Sequence, residues 1–504
     1  MTKILSSIFI LLITITIFHT PIVAQESTLI TNILTQASDE YEEKTSDKAV
    51  DGDNTTNWNS GGFAPQWIVL DLGSQYTINK IELNLRQSPN GRTVHKIEIG
   101  PTINNLKELI TLDQITHNDQ VITIPLLKTE PNVRFVKINS LMSPSWITWN
   151  EIKIYQGQTA INNHLKYFGY MSTDGIGVEV SPTYYSELAN LSNTNVAWSY
   201  IANLEEFSKL NIKGLMAEVR WLFFQDGELH PDWQTKWENY AQRLQGHEED
   251  IYGFYFDEPV WNGYSKSAFL TATRTIHETF PNKAIFIIEA SPPISNNTIP
   301  EGYYEYVSDI GFDYYFTLHS NSNDEGWGMF LDNLEKYKPY VQGKKFWVIP
   351  DGYSNNSGVI PRWPNAFERY LSLVLTTENG VGIMPFIYNA DDFLFTLRDV
   401  LDPTGKVYNP SFRTRNIEVG RLITQHSSHT PTPTQAISSP TPTTATSFPP
   451  GDANEDSLVN GADYIIWLNH YSQSTTNKHL DGDFNKSGIV DGADYIVWVT
   501  NYDG

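Results

Sequence analysis

The 504-residue chain predicts a multidomain protein: an all-β sandwich, then a (β/α)8 barrel, then a small α-helical module on a duplicated loop. Three observations lead there. Short alternating apolar runs between turn residues fill positions 27–157, and strands of that kind build sandwiches. Eight apolar runs alternate with amphipathic segments over positions 164–424, the pattern of a closed parallel barrel. Near the end, Gly451–Tyr471 and Gly482–Tyr502 are near copies of one another, and an internal repeat of this kind marks a duplicated structural unit.

The chain begins Met1-Thr2-Lys3, followed by the apolar run Ile4–Phe18 and then Ile22-Val23-Ala24. A short apolar core behind one positive charge, ending in a small residue, predicts that residues 1–24 are a secretory signal cleaved after Ala24; an uncleaved anchor is the alternative. No other stretch suits a membrane span, so an extracellular protein without membrane contact after cleavage is expected. There is no cysteine, which excludes disulfides and thiol chemistry. A formal net charge of −24 argues against nucleic acid and anionic membranes as partners. The 14 Trp and 27 Tyr suit stacking on sugar rings, although aromatic residues also serve as core.

In the first unit, the runs Gln66–Leu72, Ile78–Leu85, Val94–Ile99, Gln120–Pro125 and Arg134–Ile138 read as strands. Four stretches stand out: Ala49-Val50-Asp51-Gly52-Asp53, Thr56-Asn57-Trp58, Trp67–Gly73 and the closing Trp149-Asn150-Glu151-Ile152. On these residues the unit resembles the coagulation-factor type C, or discoidin, family. The resemblance implies a carbohydrate-binding, galactose-binding-like sandwich. It also implies one structural calcium near Asp51, with Thr56 and Glu151 contributing, and hard oxygen ligands of this kind suit calcium. Arg86, His95 and Trp146 are candidate sugar contacts.

In the second unit the eight expected strands are Tyr167–Met171, Asn195–Ile201, Ile212–Val219, Ile251–Asp257, Lys283–Glu289, Asp309–Phe316, Lys345–Pro350 and Gly380–Tyr388. Ile251–Asp257 is the central one. It is apolar throughout before Asp257-Glu258-Pro259, and proline cannot continue a ladder. Asp257 and Glu258 are therefore placed at the C-terminal end of a buried strand, where barrel enzymes keep their chemistry. The alternative is that they cap the following helix. Further acids at strand ends are Glu289, Asp351 and the pair Asp391-Asp392, while Glu218 precedes Arg220 and Trp221. Carboxylates suit glycosidic cleavage, because one protonates the leaving oxygen while a second attacks, activates water or steadies charge. The expected catalytic residues are Glu258, Asp257, Asp351 and Glu289. Glu218, Arg220, Trp221, Trp261, Trp347 and Trp363 are expected at the substrate, with Trp327 as a further aromatic candidate. The barrel is similar to sugar hydrolases as an architecture. Glu258 with Asp351 matches barrel glycosidases that carry acids after strands four and seven, with Asp351 departing from the usual Glu. Asp257-Glu258 matches equally well the hexosaminidase-type pair, in which the substrate's acetamido group is the nucleophile.

Residues 426–450 are rich in Pro and Thr and read as a linker. Residues 451–504 hold the repeat. Asp452, Asn454, Asp456, Leu458, Asn460 and Asp463 stand at positions 1, 3, 5, 7, 9 and 12 of the first loop. Asp483, Asn485, Ser487, Ile489, Asp491 and Asp494 do so in the second. That is calcium-loop spacing. With a helix after each loop, the module resembles a type I dockerin. The resemblance implies two bound calcium ions and a cohesin domain as partner. Ser487 and Ser457 depart from the usual acid and glycine. The sequence as a whole predicts a secreted glycoside hydrolase with a sugar-binding module and a cohesin-docking module. A non-catalytic carbohydrate-binding scaffold component is the alternative, with an esterase or lyase as a third reading.

Overall fold

The structure is a computed structural model. It describes residues 27–158, 164–171, 188–191, 193–352, 360–386 and 410–427 of one compact unit, Met1–Thr430. Of a second unit, Pro431–Gly504, it describes residues 449–454, 458–459, 461–471, 473–476, 478–490, 494–495, 497–498 and 501. The expected leader, the linker from residue 428 to 448, and Asp391, Asp392, Asp456, Asn460 and Asp491 lie outside the described residues.

The first unit begins with an antiparallel β-structure. Its strands are β1 (Thr28–Leu29), β2 (Leu34–Ala37), β3 (Trp58–Asn59), β4 (Gln66–Leu85), β5 (Gly91–Thr102), β6 (Asn105–Thr116), β7 (Val121–Met142) and β8 (Thr148–Gln156). The main order is β1-β8-β4-β7-β5-β6, with β2 on β4 and β3 on β8. Two pairs of expected strands fuse, since β4 runs through both Gln66–Leu72 and Ile78–Leu85, and β7 through Gln120–Pro125 and Arg134–Ile138. The pairing of β4 with β7 slips between Asp71 and Lys80. Such bulges bend a strand, and the sheet folds over a core that includes Trp58, Ile81, Leu83, Ile138, Trp149 and Ile154. Strand β6 was not anticipated from the sequence. Its burial is largely confined to its C-terminal half.

Eight parallel strands then close into a barrel: β9 (Tyr167–Tyr170), β10 (Val196–Ser199), β11 (Lys213–Met216), β14 (Ile251–Asp257), β15 (Ala284–Ala290), β16 (Asp309–Asp313), β17 (Lys345–Val348) and β18 (Gly380–Ile383). Strand β18 pairs back onto β9. Each expected run contains one of these strands, except that β15 runs one residue past Lys283–Glu289. The connections carry helices α1 (Leu204–Leu210), α2 (Val219–Phe223), α3 (Trp233–Arg243), α4 (Lys266–Thr279), α5 (Ser291–Ser295), α6 (Phe316–His319), α7 (Asn323–Val341) and α8 (Trp363–Thr376). Helix α9 (Pro410–Ser427) follows β18, and a small hairpin of β12 (Phe224–Gln225) and β13 (Glu228–Leu229) lies between α2 and α3.

Strand residues alternate between the barrel interior and the helices. On β15, Ala284, Phe286 and Ile288 join the interior cluster, while Ile285 and Ile287 join the outer core. On β14 the alternation slips at Tyr252. Ile251 pairs with Gly214, but Gly253 already pairs with Leu215, so Tyr252 and Tyr255 both reach the interior. At the barrel floor, Asp309 is fully buried and accepts from Tyr252 Oη (2.5 Å) and Trp347 Nε1 (2.9 Å). Trp347 fits because residue 382 is glycine, where a Cβ would lie 2.1 Å from the indole ring.

The sandwich rests on the barrel through β6, β7, α7 and α8. The contact is anchored at Asp113 of β6, which is only 5% exposed. Its carboxylate accepts from Arg92 Nε and Nη2 (2.7 and 2.8 Å) and from Arg369 Nη1 (2.8 Å). Its carbonyl accepts from Trp327 Nε1 (2.8 Å). Trp327, a candidate platform by sequence, is therefore buried in this contact. Removing one member of a buried ion network strands the remaining charges. Asp113→Ala is expected to destabilise the unit by about 3–5 kcal/mol, measured as a shift in the urea unfolding transition. Lys128→Ala, which breaks an exposed 3.5 Å pair with Glu418, is expected to change it by less than about 1 kcal/mol.

Candidate active site at the barrel mouth

The β14 strand ends in a sharp turn. Glu258 has φ +41°, a left-handed conformation that side-chain-bearing residues avoid. Its amide donates to Ile288 O (2.7 Å), and its carbonyl accepts from Asn262 N (2.8 Å). The turn is also gripped from outside by Glu289. That carboxylate accepts from the amides of Val260 (3.1 Å), Trp261 (3.3 Å) and Ala290 (3.1 Å), and from Tyr304 Oη (2.8 Å). In a regular strand Asp257 and Glu258 would face opposite ways. The left-handed step removes that alternation and brings both acids to the mouth.

A third acid meets them there. Asp313 ends β16 on the interior face it shares with Asp309 and Gly311, near enough to Glu258 and Asp257 for their charges to act on it. Asp257 accepts from Tyr255 Oη (2.6 Å) and lies 3.5 Å from Arg220 Nη1. Burial, then the charge of Asp257, pushes the Glu258 carboxyl up, with the Asp313 contact acting the other way. Burial, then Glu258 and Asp257, pushes Asp313 well above the usual carboxylate range. The mouth thus holds protonatable carboxyls beside an aspartate placed next to a cation.

Arg220 lies over the ring of Trp221, 4.7 Å from its centroid. Trp221 is 49% exposed and parallel to Tyr200, with centroids 6.2 Å apart. A cleft of about 300 Å³ opens beside them, lined by Arg220, Trp221, Phe224, Asp226, Asn262 and Tyr264. Trp261, on the turn itself, is 57% exposed.

Other candidates lie elsewhere. Asp351, expected as the acid after strand seven, is buried against the helices. It accepts from Thr317 N (3.0 Å), Thr317 Oγ1 and Tyr370 Oη (3.3 Å). Glu289 is fully buried and serves the turn rather than the mouth, because its side of β15 faces the helices. Glu218 braces Ile201 N (2.8 Å) and Tyr240 Oη (3.2 Å). Trp347 fills the barrel interior, and Trp363 is buried against Phe412. Asp313 was missed because it fell inside the expected strand Asp309–Phe316. The spacing Asp309, Gly311, Asp313 put it on one face with a residue at the strand's end, and that was the available signal.

In the sandwich, Thr56 Oγ1 lies near four acceptor oxygens: Asp51 Oδ1 (3.0 Å) and Oδ2 (2.8 Å), Asp53 O (2.9 Å) and Lys48 O (3.4 Å). A hydroxyl has one proton to give, so this is an oxygen-rich cradle. Glu151 adjoins it through Gly52 N (3.1 Å). Burial first, with Asp51 and Asp53 adding, pushes its carboxyl up to about 7. A divalent cation fits that donor set. Of the sugar candidates, Arg86 and Trp146 are exposed, but His95 is not. It is buried beside Trp149 with Nδ1 2.9 Å from Ser140 Oγ, and burial lowers it to about 3. His95 is a core residue; Trp146 meets the exposed ring of Tyr41, and Phe63 is a further exposed aromatic of the sandwich.

In the second unit, helix α10 (Gly461–His470) follows the first loop. Asp452, Asp463, Asp483 and Asp494 are each 1% exposed or less. Asp463 accepts from Ala453 N (2.7 Å) and Asn454 N (3.1 Å), and Asp494 from Asn485 N (2.9 Å). Asp483 accepts from Ser487 N and Gly488 N, both at 2.8 Å. Asn485 Oδ1 accepts from Ser487 N (2.8 Å), and Ser487 Oγ donates to Ile489 O (2.9 Å). Leu458 is exposed. Among the described residues no three acids or histidines converge as a ready metal cluster. Four buried acids over a core of Ala453, Trp467, Phe484 and Val490 nonetheless fit a hard cation, since buried carboxylates need compensation.

The F5/8 type C domain model matches residues 34–154. The search of curated proteins finds no match to the chain. Among solved structures, CBM32-1 from a family 31 glycoside hydrolase of Clostridium perfringens is 23% identical, with 25% of this chain and 96% of that chain covered and a TM-score of 0.24. The family 32 CBM of Clostridium perfringens NanJ, in complex with galactose, is 20% identical, with 26% and 100% covered and a TM-score of 0.23. CpGH89CBM32-5 of the same organism, in complex with GalNAc-β-1,3-galactose, is 22% identical, with 25% and 99% covered and a TM-score of 0.22.

Burial pushes Glu289 up to about 7 from 4.5 and Asp351 up to about 6 from 3.8. A carboxyl raised on folding holds its proton more tightly in the native state, so its contribution is present at low pH and lost as pH rises. These two groups lower stability as pH rises from 4 to 7, opposing buried His95, so Glu289→Gln is expected to shift the pH dependence of the urea midpoint toward a steeper rise or a shallower fall than in the wild type.

Proposed function

We propose that the protein is a secreted glycoside hydrolase whose barrel cleaves a glycan at the Asp257–Glu258 turn. The observation that carries the reading is the left-handed step at Glu258, which delivers two consecutive acids to the C-terminal mouth of a closed parallel barrel, the position of chemistry in (β/α)8 enzymes. Glu258 is the general acid in this reading. It is partly buried, its carboxyl is raised, and a raised carboxyl is what protonation of a leaving oxygen near neutral pH requires. Asp257, next to Arg220 and hydrogen-bonded by Tyr255, is the charged partner. Trp221 with Tyr200, and Trp261 on the turn, offer exposed stacking surfaces for sugar rings.

Acid and nucleophile pairs stand about 5–5.5 Å apart in retaining enzymes, and acid and base about 6.5–9.5 Å apart in inverting ones. Asp351, held by Thr317 and Tyr370, does not supply the second carboxyl across the mouth that either arrangement needs. Among the described residues this favours the mechanism in which the substrate's acetamido group attacks C1 and Asp257 orients it. The placement of Asp351 also favours the rival reading, a carbohydrate-binding scaffold component with a barrel short of one catalytic acid. Glu258→Gln separates the two readings. Its expected effect is a loss of about 10²–10⁴ in kcat on an unactivated glycan, with less loss on substrates with good leaving groups, measured by reducing-end release across a polysaccharide panel. No release by the wild type on any member would favour the scaffold.

The sandwich binds carbohydrate in this reading, through Arg86, Trp146, Tyr41 and Phe63. The similar CBM32 structures captured with galactose and GalNAc-β-1,3-galactose support it. Calcium is held by Asp51, Thr56 and Glu151 in the sandwich, and by the two loops of a dockerin that docks on a cohesin. There it would neutralise buried carboxylates and couple binding to folding. Calorimetric titration of the decalcified chain is expected to show three calcium sites. Trp146→Ala is expected to leave that count unchanged while abolishing retardation of the full chain in polysaccharide gels.

A further inference from the structure

The hairpin of β12 and β13 is built against the turn that carries the acids. Its strands pair Phe224 with Leu229 and Gln225 with Glu228, which leaves Asp226 and Gly227 as a two-residue loop. Both have left-handed φ, +49° and +80°, as a tight turn that matches the twist of a two-stranded ribbon requires. The tip is held from the β14 side. Gly227 O accepts from Ser265 N (2.8 Å), and Ser265 Oγ donates to Glu228 Oε2 (2.7 Å). The packing is close enough that a Cβ on Gly227 would lie 2.4 Å from Gly263 O. At the base of the hairpin, Phe224 stacks on Tyr264, with centroids 4.0 Å apart and the rings 6° from parallel. Asn262 donates from Nδ2 to Asp257 O (2.8 Å) and from its backbone N–H to Glu258 O (2.8 Å). The cleft of about 300 Å³ between these residues, Arg220 and Trp221 is therefore tied directly to the two acids.

The groups left open in that cleft have one chemistry. Trp221 is half exposed and offers a flat face. Among the described residues the Asp226 carboxylate has no hydrogen-bond or ion-pair partner, and Asn262 Oδ1 has none either. Arg220 is already engaged, by Asp257 at 3.5 Å and by the ring of Trp221. An aromatic face beside a few fixed acceptors fits the C–H face and the hydroxyls of a sugar. The uncompensated charge of Asp226 disfavours a uronate in the same place. We propose that this cleft is a second sugar subsite, next to the one over the acids, and that it takes a neutral hexose unit of the chain with its ring on Trp221 and its hydroxyls on Asp226. The inference rests on the reading of the Asp257–Glu258 turn as the place of cleavage. It makes the substrate at least two consecutive sugars long. Asp226 is the specificity-determining residue, since a carboxylate carried on a locked turn loses little freedom when it accepts hydroxyls.

Two substitutions in the full-length chain test the subsite. Asp226→Gly removes the carboxylate and keeps the turn, because Gly-Gly suits the same two-residue loop. Trp221→Ala removes the platform. The substrates are a tetrasaccharide of the best-cleaved neutral member of the polysaccharide panel and the glycosyl fluoride of one of its sugars, which is too small to reach the second subsite. The wild type is expected to prefer the tetrasaccharide in kcat/KM, and each substitution is expected to reduce that preference about tenfold, as for loss of a hydrogen bond to a charged group or of an aromatic contact. An unchanged preference overturns the proposal, and so does a wild type that prefers uronate oligosaccharides to neutral ones. A second readout needs no turnover. With Trp146→Ala in the same chain to silence the sandwich, calorimetric titration with neutral tetrasaccharides from the panel is expected to show binding that Asp226→Gly weakens about tenfold. No binding, or binding that Asp226→Gly leaves unchanged, overturns the subsite. Failure of the cleavage reading is distinct, since it is seen as no reducing-end release by the wild type while the binding that depends on Asp226 remains.

Discussion

The site depends on one buried carboxylate outside the barrel wall. Glu289 collects the amides of Val260, Trp261 and Ala290 on its two oxygens, and Tyr304 adds a hydroxyl. A left-handed Glu costs of order 1–3 kcal/mol and persists only where its surroundings over-determine it. Here the backbone partners of Glu258 on β15 and at Asn262, together with Glu289, supply that constraint. Without the turn, Glu258 would follow the β14 alternation toward the helices, and the mouth would hold Asp257 and Asp313 alone.

The chain uses acids repeatedly as internal tie points. Asp309 joins two aromatic donors at the barrel floor, Asp351 pins α6 to α8, Glu218 braces the β10 end to α3, and Asp113 joins sandwich to barrel. Each is satisfied by donors fixed in the scaffold, as burial of a polar group demands. The acids of the mouth differ in kind. Asp257, Glu258 and Asp313 are each partly open to solvent, and Asp257 and Glu258 both disfavour charge on Asp313. Fully satisfied carboxylates build the frame, while those at the mouth disfavour one another's charge.

The contact between sandwich and barrel follows the same rule. Arg92 comes from the sandwich and Arg369 from the barrel, and both close on the same carboxylate of β6, with Trp327 donating to its carbonyl. Asp324 of α7 also pairs with Arg369 and accepts from Arg92 through its carbonyl, so the two cations are shared between a buried acid and an exposed one. Asp113 is the buried member of that network.

The sequence by itself determined the strand-bearing runs of the sandwich, the eight apolar runs that become the parallel barrel, and the end of β14 at Asp257-Glu258-Pro259. Those features rest on local patterns of burial and on proline's missing donor, which are written residue by residue. It did not determine β6, where burial is one-sided and incomplete, nor the fusion of strand pairs into β4 and β7, which depends on cross-strand register. Tertiary structure alone decided which acids face the mouth. Asp313, Glu289 and Asp351 are all carboxylates at strand ends, alike in sequence context. Strand parity sent Asp313 into the barrel and Glu289 toward the helices, while Asp351, beyond the end of β17, was drawn toward them by Thr317 and Tyr370. His95 and Trp347 passed from candidate contacts to core for the same reason, because the side a residue faces is set by neighbours that are remote along the chain.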